Sequence, residues 1–100
     1  MFELNKSVVC ADGFTLSVQA RETSYCTPRV NNAEAYTEVE VGFPSAEEEL
    51  LLEYAEDPHN PCDTVYAWVP RQVVLNVIAK HGGMVEGQLP AGFPILRAMP

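Results

Sequence analysis

Hydrophobic and polar residues alternate with a period of two along several stretches of the chain, and two others carry helix signals. Phe14, Leu16, Val18 and Ala20 share one face of a stretch whose other face is Thr15, Ser17, Gln19 and Arg21. That pattern predicts a strand with one buried and one wet side. Residues 6–10 predict a shorter strand with Val8 and Cys10 on one face. Ala11-Asp12-Gly13 lies between the two, and an Asp-Gly pair flanked by apolar runs is a hairpin signal. The pattern then breaks from Thr23 to Asn32, where Thr27-Pro28 and Asn31-Asn32 predict a loop, read as an exposed hairpin arm with a binding role. Alternation resumes with Ala35, Thr37, Val39, Val41 and Phe43 against Tyr36, Glu38 and Glu40, and Pro44 ends it.

Ser45-Ala46-Glu47-Glu48 then reads as a capping box opening a helix that runs to Asp57-Pro58, with Leu50, Leu51 and Tyr54 toward the core. His59 to Asp63 is a turn-rich linker. Thr64 to Val69 predicts a further strand, with Val65, Ala67 and Val69 opposite Tyr66 and Trp68. A lone tryptophan in a strand is expected in the core, although its residue type also anchors interfaces. Pro70 suits the first position of a second helix, whose stripe is Val73, Val74, Val77, Ile78 and His81. Gly82-Gly83 supplies the stop, and His81 beside it is expected as a capping or core group. The proline-bearing tail from residue 84 is expected to lie extended along the body through Phe93, Ile95 and Leu96.

The expected order is β-β-loop-β-α-β-α-extended tail. It predicts an α+β fold in which a mainly antiparallel sheet of about four strands carries two α-helices on one face. One hundred residues suffice for one domain, 1–100, with a single core.

Charge narrows the function. The formal net charge is −8, which argues against direct contact with nucleic acid or anionic membrane. No apolar run approaches the roughly 18 residues a membrane span needs, and the opening residues lack a signal-peptide core, so the expected compartment is the cytoplasm. Three cysteines, Cys10, Cys26 and Cys62, are expected as reduced thiols.

Candidate chemistry is sparse. His59 and Cys62 have half the spacing of a zinc site, but no second close pair completes it, so no metal is expected. The chain has no nucleophile elbow, no local Cys-His signature and no glycine-rich phosphate loop opening a helix. No cofactor and no enzymatic activity are expected.

Glu34 to Asp57 stands out, with nine acidic residues of the chain's fourteen and no lysine or arginine. Two readings remain open: solubility combined with helix-start chemistry, or a patch that meets a basic protein surface. An ordinary solvated face mixes both signs, which favours a patch. Glu48 is expected to serve the cap, with Glu47 and Glu49 suiting the helix dipole. Local structure requires none of Glu38, Glu40 and Glu53. The candidate partner-binding set is Glu38, Glu40, Glu47, Glu48, Glu49 and Glu53, with Tyr25 and Arg29 as anchors.

The opening Met1 to Cys10 and the run Val65-Tyr66-Ala67-Trp68-Val69-Pro70 leading to His81-Gly82-Gly83 give the chain a character that resembles the small phage-encoded anti-CRISPR proteins acting on type I-F systems. The resemblance covers the whole chain and carries no shared short motif, so it transfers no residue roles. It implies a non-enzymatic, cytoplasmic monomer that binds the host's crRNA-guided surveillance complex. It further implies that target DNA is blocked from binding, unwinding or hybridising. An acidic face could occupy a basic groove built to hold phosphates. The alternative is a phage structural or assembly protein that self-associates through its apolar tail and a sheet edge.

Overall fold

The computed structural model describes residues 4–94, 97 and 98. Five strands form one antiparallel sheet: β1 (Val8–Cys10), β2 (Thr15–Gln19), β3 (Glu38–Gly42), β4 (Val65–Pro70) and β5 (Met84–Glu86), in the order β4-β3-β2-β1-β5. The first four strands are sequential neighbours. The one α-helix among the described residues, α1 (Arg71–Lys80), begins directly after β4 and leads to β5 at the opposite edge. Those edges lie about 19 Å apart at normal strand spacing, and ten helical residues span about 15 Å. The helix therefore carries the chain back across one face of the sheet, which makes the architecture α+β.

The alternation of β2 holds, with Leu16 and Val18 buried and Thr15, Ser17 and Gln19 part-exposed. Val8 and Cys10 of β1, Val39 and Val41 of β3, and Tyr66 and Val69 of β4 join them on the inner face. Val74, Val77 and Ile78 of α1 close the core, with Val73 packed at its margin, so the apolar stripe read from the sequence is the buried face of the helix. β-branched residues are weak helix formers, and this packing holds the helix together.

The expected first α-helix does not form. Ser45 Oγ accepts from the Thr15 amide at 2.9 Å instead of capping its own segment. The bonds that follow span three residues, Leu51 N to Glu48 O at 3.0 Å and Tyr54 N to Leu51 O at 2.9 Å, and give only a 3-10 turn at Leu52–Tyr54. Extended pairing then takes over: Ala55 bridges to Tyr66, and the Glu56 amide donates to Val65 O at 3.0 Å. A helix running to Asp57 would forfeit that contact along the edge of β4, besides stacking Glu49 and Glu53 one turn apart.

The start of the expected tail is instead the fifth strand. β5 pairs with β1, matching Cys10 to Met84 and Val9 to Glu86. Gly87, at φ +112°, lets the chain turn beside β1; a Cβ there would sit 2.3 Å from Ser7 O. Gln88 continues the contact by donating its amide to Lys6 O at 3.1 Å. Phe93 packs against the core as expected, while the expected contacts of Ile95 and Leu96 lie outside the described residues.

Trp68 is not a core residue. The register between β3 and β4 shifts between Val39 and Val41, so Ala67 and Trp68 together oppose Glu40. At this bulge Trp68 adopts φ +47° and turns outward, with 45% of its surface exposed. Tyr66 and Val69 both reach the core in consequence, which strict alternation forbids.

Candidate functional site

Residues 21–33 are anchored to the outer side of β3 and β4. The loop begins where β2 ends, and Cys26, buried beneath it, donates its thiol to the carbonyls of Arg21 and Pro28 at 3.3 and 3.4 Å. Burial pushes that thiol's pKa upward. Main-chain bonds fix the loop to β3: Thr27 N to Glu38 O at 3.0 Å and Thr37 N to Thr27 O at 2.9 Å. It is fixed to β4 by the Trp68 amide, which donates to Tyr25 O at 3.0 Å.

Glu38 and Glu40 complete these anchors. Glu40 Oε1 accepts from the Tyr25 amide at 3.1 Å, and Glu38 Oε1 accepts from Thr27 Oγ1 at 2.7 Å. Both are half-buried rather than a free charged ladder on an open face, because the loop supplies donors to them. Their primary role is therefore to hold the loop.

What the loop presents is an aromatic and cationic cluster. The Tyr25 and Trp68 rings lie 5.1 Å apart at an interplanar angle of 39°. The Arg29 guanidinium sits 5.5 Å from the centre of the Tyr25 ring and donates from Nε to Glu22 O at 3.2 Å. Val30 is exposed beside Arg29. Large aromatic rings and arginine combine apolar area with polar ends, the combination that dominates protein interfaces. A bulky residue at positive φ costs on the order of 1–3 kcal/mol, and such strain concentrates at binding sites. The sequence pointed to Tyr25 and Arg29. It gave no signal for the bulge that exposes Trp68.

Glu48 belongs to a different cluster. It is 2% exposed, so its expected place on a partner-facing surface is overturned. Glu48 Oε2 accepts from Lys80 Nζ at 2.9 Å and from the Leu50 amide at 3.0 Å, while Oε1 accepts from His81 Nε2 at 2.7 Å. His81 Nδ1 donates at 2.5 Å to Asp12, whose other oxygen accepts from the Phe14 amide at 2.9 Å. The imidazole also stacks on Phe14 with centroids 4.0 Å apart.

Burial opposes charge on both Glu48 and His81, but the partners prevail. Leu50, Lys80 and His81 hold the Glu48 carboxyl below its usual range, and Asp12 and Glu48 hold His81 above its own. With both ring nitrogens facing carboxylates, the imidazolium is the favoured form of His81, and that form has no lone pair for a metal or for general-base work. It locks the end of α1 to the Asp12 turn and the Glu48 segment. The expected capping role holds in the backbone, where His81 closes α1 by donating its amide to Val77 O at 3.1 Å and Ile78 O at 3.2 Å, while its imidazole is held by side chains. Asp12 was marked in the sequence only as a turn residue, and Lys80 carried no mark.

The other acidic candidates remain at the surface. Glu47, Glu49 and Glu53 are exposed, and Glu49 has only a 3.8 Å approach to Lys80. The Tyr54 phenol is pushed above its usual pKa by its bond to Glu53, with the charge of Glu38 adding to the effect. Asp57 is engaged locally, accepting from the His59 amide at 3.2 Å and from Asn60 Nδ2 at 2.8 Å. The nine acidic residues therefore do not form one continuous free face.

Among the described residues no group of three or more histidines, cysteines and carboxylates is arranged to hold a metal ion, and no helix is long and apolar enough to cross a membrane. Comparison of the chain with protein-family models, curated proteins and solved structures returns no match.

Proposed function

We propose that this chain is a non-enzymatic protein-binding inhibitor that engages the type I-F crRNA-guided surveillance complex in the cytoplasm of the host cell. It acts as a monomer and blocks target DNA from binding, unwinding or hybridising. The observation that carries the binding role is Trp68: a large ring exposed on a strained bulge, packed by Tyr25 under Arg29. The choice of partner rests on the resemblance of the whole chain to anti-CRISPR proteins and on its net charge of −8.

In this reading Trp68, Tyr25 and Arg29 supply the anchors, and Glu47, Glu49 and Glu53 supply the charge that steers the chain toward basic, DNA-holding subunits. Glu38 and Glu40 act through the loop they fix. Glu48 takes no part in contact.

The test is capture of the purified surveillance complex by immobilised protein, paired with a DNA-binding assay of the captured complex. Trp68→Ala with Tyr25→Ala should weaken capture by at least roughly tenfold, as expected for a pair of central aromatic anchors. Reversing Glu47, Glu49 and Glu53 to lysine should slow association and remove its salt dependence. A complex that binds target DNA equally well with and without the protein ends the proposal.

The alternative, self-association through the tail and a sheet edge, finds less support. The Ala55–Glu56 segment and Tyr25 bond along β4, and Arg97 and Ala98 bond along β5, so both edge strands already have neighbours.

A further inference from the structure

The 21–33 loop has a second side. Where β2 ends, Gln19, Arg21, Asn31 and Tyr36 face the returning segment Leu89–Ala91 across a cleft of about 380 Å³. That volume lies within the range of small-ligand sites, roughly 300–1,000 Å³. Leu89, Pro90 and Ala33 provide the apolar lining.

Much of the polar lining is already engaged. Gln19 accepts from the Asn5 amide at 2.8 Å and donates to Asn5 O at 2.9 Å. Tyr36 donates its hydroxyl to Val30 O at 2.7 Å. Arg21 differs: its Nε is buried without a hydrogen-bond partner, and among the described residues no carboxylate pairs with its guanidinium. This holds in a chain where acidic residues outnumber lysine and arginine by 14 to 6. Asn31 turns its Oδ1 to the Glu22 amide at 3.1 Å, which leaves its Nδ2 hydrogens as free donors. A buried, unsatisfied charged donor is costly, and an anion that meets it recovers that cost.

We propose that this cleft binds a small organic monocarboxylate, with its oxygens on the Arg21 guanidinium and the Asn31 amide and its apolar body against Leu89 and Pro90. A planar carboxylate matches the guanidinium fork. A single cation suits a single negative charge, whereas a phosphate dianion would add uncompensated charge to a protein already at −8. The apolar wall selects a carboxylate with a short hydrocarbon body over formate or an inorganic anion. This site is independent of the proposed partner-binding role, although both use the same loop.

Titration of the full-length, 15N-labelled chain with butyrate, followed by amide chemical shifts, tests the assignment. Saturable shifts at Arg21, Asn31, Ala33 and Leu89 are expected, with a dissociation constant on the order of 1 mM. Butyramide, the neutral isostere, should leave these amides unmoved, and inorganic phosphate should bind at least about tenfold more weakly than butyrate. Arg21→Gln should weaken butyrate by at least about tenfold with the remaining spectrum unchanged. Asn31→Asp keeps the acceptor for Glu22 and replaces the free donor by a charge, so it should weaken binding even if Arg21→Gln misfolds. N-acetylleucine tells a chain terminus from a free acid: tighter saturation than butyrate assigns the cleft to peptide C-termini, and weaker saturation assigns it to free acids. Linear shifts without saturation, equal response to butyramide or phosphate, or full binding by both variants overturns the proposal.

Discussion

The Trp68 amide donates to the Tyr25 carbonyl at 3.0 Å, and the two rings then meet 5.1 Å apart. The bond and the ring contact both need the bulge that sets Trp68 at φ +47°. Removing the side chain loses an aromatic contact of about 0.5–1.5 kcal/mol together with the area the ring buries but, with glycine, also releases backbone strain of about 1–3 kcal/mol. Trp68→Gly should therefore cost less thermal stability than truncating a tryptophan in a strand usually does. Trp68→Ala retains the penalty for positive φ and should be less stable than the glycine variant by about 1 kcal/mol. Thermal melts of the three proteins decide it, and an alanine variant at least as stable as glycine would remove the claim of strain.

Glu40 provides a test of what holds the loop. Its carboxylate accepts from the Tyr25 amide, whereas its backbone remains in β3. Glu40→Ala should speed hydrogen exchange at the Tyr25 amide by roughly tenfold, the loss of one charge-assisted bond, with the amides of β2 and α1 unaffected. If capture by the partner falls in the same variant without change to Trp68, the carboxylate acts through the loop. Unaltered exchange at Tyr25 would show that the main-chain bonds suffice.

The cysteines divide by burial. Cys10 is in the core, where burial, with Asp12 adding to it, pushes its pKa up to about 11; burial raises Cys26 as well. Cys62 is exposed in the turn after Asp57. Thiolate is the reactive form, so an aromatic disulfide reagent at neutral pH should titrate one thiol rapidly and the remaining two only on unfolding. A count of two or three fast thiols in the native protein would contradict the burial of Cys10 or Cys26.

The parts of the fold that follow from period were legible. Strands β2 and β3 and the buried stripe of α1 repeat every two or every three to four residues, and burial acts on that repeat directly. The missing helix illustrates the converse. Ser45 and Glu48 have the residue types of a capping box, but each found a stronger partner distant in sequence, Ser45 the Thr15 amide and Glu48 the Lys80–His81 pair. A local motif cannot report such competition. The same applies to the candidate site. Tyr25 and Arg29 were visible as residue types, while the exposure of Trp68 depends on one register shift opposite Glu40. The acidic run was conspicuous in the sequence, yet Glu38, Glu40, Glu48 and Asp57 among its members are engaged in internal bonds.

The Glu48–His81–Asp12 network sets how stability varies with pH. His81 is held above its ordinary 6.5, so its contribution is full below 6.5 and is lost as pH rises through the raised value. Glu48 and Asp12 are held below their ordinary 4.5 and 3.8, so theirs is full above those values and is lost as pH falls through the lowered ones. Together they place the network's maximum between 4.5 and 6.5, on the acid side of neutrality. Melting temperature should decline from that window toward pH 8, and His81→Gln should flatten the alkaline limb because no imidazolium remains to deprotonate. Glu48→Ala leaves Lys80 and His81 without their buried partner and should cost about 3 kcal/mol, at the low end for a broken buried pair because Lys80 reaches solvent. Glu48→Gln should recover part of this by keeping an acceptor for the Leu50 amide. An alkaline limb equally steep in His81→Gln would mean that another group governs the pH response.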